Sequence, residues 1–509
     1  MKRFWLVLLS LGLIAAFSTQ AMAVDVKFSG EYFAAGMYLD RVGVRDTNTL
    51  AFYEPISPTP PKPPMIEFVR AVPGDSSTAF YYQRLRLNTQ FVVHPGLTLV
   101  TRADIMERAW GAARFAPASG PENLLAGTRT ALDERSAGTR AENENIAFDL
   151  LYVQYVSPIG LFLAGYQIDG AWGTTFGDTS MPTPKIGYIL PIKDFMIGLQ
   201  MGKNPDGELS WGTWNGSVRN GAIDRDNNFY TAFVKYGTKG LDAGLLFKYI
   251  RDARYRNIFG EAGVLPVPNG GIKVEQIVVT PYAKAQLGPV ALQGQVYYVT
   301  GRVHKEGLAG LVPAALNGGE SQKIDAWSAY LDATADFGIA YVGGSFAWIS
   351  GDKQETGDKL EGGLTGGLDW NPCLIMFNSE RNYWVGGIQG YDNKTNGAPM
   401  TNAFFAQLRA GVKPVDKLDV MASLSWAKMY RADAQSLGIQ AGRDYGIEVD
   451  VTGTYKITNN LSYMLGAGYW FVGKYYKGAG IAGDTDASGI LYGDVKNDFM
   501  VINKLTLTF

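Results

Sequence analysis

The sequence predicts an all-β protein, a transmembrane antiparallel β-barrel of about 18 strands over residues 24–509. Three observations carry this. Apolar and polar residues alternate with period two from end to end of the mature chain. The connections between the alternating runs switch strictly between short and long. No segment beyond the first 23 residues reads as a spanning helix. Composition agrees: charged residues are 18%, against roughly 25% in an average globular chain. Aromatics reach 13%, Gly contributes 62 residues, and a mean hydropathy of −0.05 does not fit a bundle of membrane helices.

The first 23 residues read as a leader. Lys2 and Arg3 form a positive start, Phe4 to Phe17 is apolar, and Ala21-Met22-Ala23 is a small-x-small cleavage site. The apolar run is too short to cross ~30 Å of hydrocarbon comfortably. Residues 1–23 are therefore expected to be a signal peptide, with an uncleaved anchor as the alternative. No Cys follows the cut, which excludes a lipoprotein. Loss of Lys2 and Arg3 takes the formal charge from −2 to −4.

The strands come in order along the chain. Val26, Phe28, Tyr32 and Ala34 share one face, with Lys27, Ser29 and Glu31 on the other. Tyr81, Leu85, Leu87 and Phe91 oppose Tyr82, Arg84, Arg86, Asn88 and Gln90. Leu150 to Ile168 carries no charge, but Ser157-Pro158 and Gly160 in its middle predict two strands and a tight turn. Phe195, Ile197, Leu199 and Met201 alternate with Gly198, Gln200 and Gly202. Tyr445, Ile447, Val449 and Val451 oppose Asp444, Glu448, Asp450 and Thr452. Val501, Leu505, Leu507 and Phe509 alternate with Lys504, Thr506 and Thr508. Runs of about 10–16 residues exceed the usual globular strand and suit a tilted bilayer crossing. A soluble sandwich would show shorter strands, and a solenoid would show a 20-to-50-residue repeat.

Short connections fall near 94–97, 157–160, 193–194, 237–240, 287–289, 336–338, 413–417 and 456–460. Long ones fall near 42–77, 113–144, 171–184, 205–226, 253–272, 304–321, 352–401, 431–443 and 476–494. Eight short and nine long connections join 18 strands, and an even number puts both termini on the short-turn side. Sixteen strands is the alternative count. Tyr38, Trp110, Tyr298, Trp348, Trp426, Tyr463, Tyr469 and Trp470 lie near strand ends, where amphipathic rings suit membrane interfaces.

The leader, the turn-length alternation and a last strand ending in Phe509 resemble a Gram-negative outer-membrane β-barrel porin. Tyr152 to Asp178, with Gly165-Tyr166-Gln167 and Trp172-Gly173, is similar to alginate-export-type and substrate-specific 18-stranded channels. Leu505-x-Leu507-x-Phe509 resembles the signal read by the barrel-assembly machinery. The resemblance implies a multi-pass barrel in the cell outer membrane, in contact with its lipid and lipopolysaccharide, as a monomer or homotrimer.

A barrel this wide leaves an aqueous channel unless loops fill it. Loops 352–401, 42–77 (with seven prolines between Pro55 and Pro73) and 113–144 (with Glu122, Arg129, Asp133, Glu134 and Arg135) are candidates for the constriction. Inward, pore-lining positions include Glu31, Arg84, Arg86, Arg102, Asp104, Asp149 and Arg409, with Lys248, Lys284, Asp332, Glu448 and Asp450. Arg84, Arg86 and Arg102 form a basic patch beside acids, predicting a transverse field that biases the pore toward anions, unless the charges simply pair. Parity breaks at Asp149 and at Lys428, where a β-bulge or strand end is expected.

No catalytic, metal or cofactor site is expected. One Cys (Cys373) and two His (His94, His304) do not supply a disulfide framework or a multi-His metal centre. Asp484 to Gly489 begins like an EF-hand, but Val495 stands where a bidentate Glu is needed. Asn215 and Asn393 fit glycosylation sequons only formally, and Gly366-Gly367 has no strand-to-helix setting for phosphate. Cys373 reads as an unpaired loop thiol, with inter-chain bonding as the alternative. A pI of 5.9 gives no footprint for nucleic acid. The function predicted is passive diffusion of small hydrophilic solutes, with anionic solutes as the narrower reading. The alternative is a scaffold or conduit barrel around a periplasmic partner or exported polymer; an outer-membrane enzyme fits poorly.

Overall fold

The computed structural model describes residues 24–41, 77–110, 146–204, 226–256, 271–306, 321–353, 356–363, 367–381, 400–431, 442–476 and 496–509. The leader, nearly all of loops 42–77 and 113–144, and Asn215, Asn393 and 484–489 lie outside these residues.

The first wall strands are β1 (Asp25–Leu39), β2 (Thr78–His94), β3 (Leu97–Ala109), β4 (Ile146–Ser157), β5 (Gly160–Asp169) and β6 (Met181–Ile192). Next come β7 (Phe195–Asn204), β8 (Asn227–Thr238), β9 (Leu241–Arg256), β10 (Gly271–Leu287), β11 (Val290–Glu306), β12 (Gln322–Asp336) and β13 (Ala340–Ile349). The last are β15 (Ala403–Val415), β16 (Leu418–Met429), β17 (Asp444–Lys456), β18 (Leu461–Val472) and β19 (Asp498–Thr508). These 18 strands each pair antiparallel with their chain neighbours, and β19 returns to pair with β1. Between β13 and β15, the two-residue β14 (Lys359–Leu360) runs parallel to the start of β12.

Closure has a physical cause: hydrocarbon offers no partner to an open edge, so each backbone N–H and C=O must be met within the sheet. The seam runs from Glu31 opposite Thr508 to Leu39 opposite Met500. Beyond it, Gly30 N–H donates to Phe509 O (2.8 Å) and Phe509 N–H returns a bond to Gly30 O (3.1 Å). A Cβ on Gly30 would stand 2.7 Å from the Phe509 ring, so glycine makes room for the terminal aromatic.

Short turns and long connections alternate around the whole ring, with both termini on the short-turn side. The Pro-Gly punctuation between β4 and β5 is a turn in which Ser157 Oγ donates to Gly160 O (2.8 Å). Outward positions such as Phe28, Phe148, Leu199, Leu331 and Leu408 are exposed, as a lipid-facing surface requires.

A bulge accounts for one break in parity and a strand end for the other. Between β3 and β4, pairing steps from Arg102 opposite Leu150 to Ala103 opposite Phe148, leaving Asp149 as the extra residue. Lys428 stays in step with outward Trp426, one residue from the end of β16, and so marks a strand end. Two outward expectations are corrected. Tyr445 is the extra residue where pairing steps from Ala427–Gly446 to Lys428–Asp444, and it is buried against Tyr475. Trp470, expected at the membrane interface, faces inward opposite Glu448 and is fully buried.

Candidate functional site in the barrel lumen

The hydrophobic core lies inside the barrel. The inner face of β1 turns apolar toward the long-connection end, where Phe33, Ala35, Met37 and Leu39 are buried. Phe405, Met429, Trp470 and Met500 continue that surface on β15, β16, β18 and β19. Apolar wall facing lumen water would forfeit about 25 cal/mol per Å². Residues 367–381 of the β13–β15 connection cover it, burying Trp370, Ile375, Met376 and Phe377. Polar ties fix their position. Both oxygens of Glu448 accept backbone N–H bonds, from Ile375 and Met376 at 2.6 Å each. Gln407 Nε2 donates to Pro372 O (2.7 Å), and Tyr82 OH donates to Glu380 (2.9 Å). Arg381 lies fully buried 3.6 Å from Asp498. Burial weakens its guanidinium's hold on its proton, and Asp498 and Glu448 offset this.

The β5–β6 connection enters beside it. Thr174 caps the short turn Thr175–Gly177 and donates to Gln295 Oε1 on β11 through N–H (2.8 Å) and Oγ1 (2.6 Å). Gln295 Nε2 donates back to Trp172 O (2.8 Å). The two connections then clasp. Gly367 N–H donates to Phe176 O (2.7 Å), Asp369 N–H to Asp178 O (3.1 Å), and Ser180 N–H to Asp369 Oδ2 (2.9 Å). Phe176 stacks on Tyr330 (5.1 Å) and meets Trp370 edge-on (5.2 Å). Burial pushes the Asp178 carboxyl up to about 6; the Asp369 charge adds to this and the bond from Trp172 N–H opposes it. The expected constriction loop 352–401 thus contributes residues 367–381, and the β5–β6 connection was missed. Its signal was a loop with Asp178 as its one charge, carrying Trp172 and Phe176.

The opposite wall is polar. Arg86 grips Asp104 through Nε (2.7 Å) and Nη2 (2.6 Å), and Arg102 Nη2 donates to Asp149 (2.9 Å). Arg86 also lies 3.5 Å from Asp149, and Arg84 lies 3.4 Å from Glu107 and 3.9 Å from Glu31. Six of the seven candidate wall residues therefore gather in two neighbouring ion-pair clusters, Arg86, Asp104, Asp149 and Arg102 in one and Arg84 and Glu31 in the other, where Glu107 joins them. Glu107 was missed because β3 bulges there: Met106 has φ +55°, and pairing jumps from Gln83–Arg108 to Leu85–Ile105. Arg409 stands apart, paired with Asp332 at 2.7 Å. Further round, Lys185 and Lys248 share Asp169.

Cys373, on the inserted connection, is free and buried against the wall, where another chain's thiol does not reach it. Burial pushes its thiol well above the usual range. Its sulfur lies with Glu448 and Asp450 oxygens inside a sphere of contacts no wider than 4.8 Å. Nothing in the alternation pattern signals that convergence.

These features define a closed barrel of 18 antiparallel strands with two connections folded into its lumen. It is similar to Pseudomonas aeruginosa OccK2 (OpdF) in complex with glucuronate, at 11% identity and TM-score 0.47 over 95% of this chain and 98% of that one. It is also similar to Pseudomonas aeruginosa OccK8 (OprE), at 13% identity and TM-score 0.46 over 95% and 98%. An anion-selective porin from Comamonas acidovorans matches at 12% identity and TM-score 0.38 over 96% and 100%. These likenesses concern the fold alone. No known sequence family matches the chain, and no curated protein does.

Proposed function

We propose that the protein is a non-catalytic outer-membrane channel for passive diffusion of small hydrophilic solutes, with the water path along the charged wall of β2 to β9. The observation that carries this is the division of the lumen. One side is apolar and covered by the chain's own connections, whereas Arg84, Arg86 and Asp149 on the other keep 20%, 29% and 22% of their side chains exposed. A lumen whose apolar side is already filled favours a channel over a sheath around a protein partner. The terminal Phe509 strand serves as the assembly signal, and the apolar exterior contacts outer-membrane lipid and lipopolysaccharide.

Three guanidiniums in the two clusters face four carboxylates, Glu31, Asp104, Glu107 and Asp149. Paired charges of nearly equal number produce little net field, so the wild-type pore discriminates weakly between small anions and cations. Arg stays protonated at all working pH values. Removing the three arginines therefore leaves uncompensated acids, and Arg84→Gln/Arg86→Gln/Arg102→Gln is expected to become cation-selective by reversal potential in a salt gradient. An unchanged permeability ratio would show that the clusters lie off the ion path.

A further inference from the structure

We propose that Cys373, Glu448 and Asp450 bind one divalent cation of the borderline-soft class, Zn²⁺ or Cd²⁺, which pins the inserted β13–β15 connection to the barrel wall. Glu448 and Asp450 are two apart on β17, so the pleat presents both carboxylates on one inner face. Cys373 is brought against them by the connection, and all three side chains are buried. Candidate ligand atoms of the three lie within 4.8 Å of one another, close enough for a small rearrangement to place them around one ion.

Two further observations point to a cation. Asp450 is only 3% exposed, yet among the described residues its Oδ1 meets no N–H or hydroxyl donor; the carboxyl's other partners are Ser423, at a long 3.4 Å from Oδ2, Leu374 N–H and the neighbouring Glu448 carboxyl. A buried carboxylate oxygen left unmet is costly and calls for a positively charged neighbour. The surrounding charge is also unbalanced. Glu448, Asp450 and Asp498 are all buried along this interface, and among the described residues Arg381 is the cation facing them, directed at Asp498 and Glu448. Glu448 and Asp450 hydrogen-bond to each other, which requires a proton held between them, and one divalent ion would take that proton's place.

The donor set selects the metal class. One thiolate with two carboxylates suits Zn²⁺ or Cd²⁺ better than Ca²⁺ or Mg²⁺, which take oxygen alone. The Glu448 oxygens keep a lone pair each after accepting the Ile375 and Met376 bonds. On binding, the metal–sulfur bond replaces the thiol S–H, and that proton and the one held between Glu448 and Asp450 leave to water.

The test uses the purified, folded full-length protein after chelator treatment. Cd²⁺ is titrated while the near-ultraviolet thiolate-to-metal absorption is recorded, and retained Zn²⁺ is counted by elemental mass spectrometry after desalting. One ion per chain and a saturable absorption band are expected. Cys373→Ser should abolish the band, and Asp450→Asn should weaken binding at least 100-fold, with both variants still showing the heat-modifiable gel shift of a folded barrel. Because Cys373 is the chain's one thiol, a band cannot come from His94 or His304. Absence of the band in wild-type protein would overturn the proposal without reference to any variant. So would retention of Zn²⁺ unchanged in Cys373→Ser and Asp450→Asn.

Discussion

Arg86 shows how one wall residue serves both stability and conduction. Its two bonds to Asp104 hold a carboxylate that is almost fully buried, whereas its neighbour Leu85 points to the other face, between Tyr32 and Ile105. Leu85→Arg is expected to lower barrel stability by ~2–4 kcal/mol, the cost of a midplane Arg on the lipid face. Arg86→Leu strands Asp104 and is expected to cost about 1–3 kcal/mol, since an unmet buried acceptor keeps its desolvation penalty. Adding Asp104→Leu should recover much of that loss, whereas no luminal change should rescue Leu85→Arg. Urea unfolding of the single and double variants in detergent micelles or liposomes measures both; additive losses for Arg86 and Asp104 would contradict the pairing.

At the level of elements, the function proposed above makes the clasp between the β5–β6 and β13–β15 connections the part that sets what the lumen can pass. Phe176→Ala and Trp370→Ala each remove a buried ring and are expected to destabilise by ~3–5 kcal/mol and to raise single-channel conductance. Their rings touch, so the double variant should lose less than the sum. The Asp178–Asp369 junction adds pH dependence. With the Asp178 carboxyl raised to about 6, docking is favoured by its neutral form. That contribution is complete below the ordinary carboxylate range and is lost as pH rises through about 6. Wild-type channels should therefore fluctuate less at pH 5 than at pH 7.5, and Asp178→Asn should be equally quiet at both; a variant that keeps the wild-type difference would rule out Asp178. The strands themselves were legible in the sequence because lipid and water impose opposite demands on alternate residues. Legibility failed where that contrast failed. Phe33, Met37 and Leu39 are apolar on the inner face because a connection more than 300 residues away covers them, and alternation cannot register such a partner. Tyr445 and Glu107 escaped the pattern because a single bulge residue reverses the parity of the neighbouring positions. Cys373 meets Glu448 only through tertiary folding.

The whole molecule reflects two constraints that act on opposite sides of one sheet. Outside, hydrocarbon demands an apolar band and a closed ring, met by 18 paired strands and the Gly30–Phe509 seam. Inside, a ring of that size is too wide for wall side chains alone, so connections fold in and divide the lumen into an apolar, filled side and a charged, wetted side. The signs balance along the wetted side, through the arginine–carboxylate clusters and the lysines around Asp169. That arrangement keeps water in the pore without a strong net field. On the function proposed above, this wetted side is a continuous aqueous path through the folded protein. Recording from planar bilayers containing purified protein, checked as folded by heat-modifiable gel migration, tests it most directly. Stepwise, ohmic conductance of nearly equal permeability to small anions and cations is the expected result, and folded protein that inserts but carries no current would contradict it.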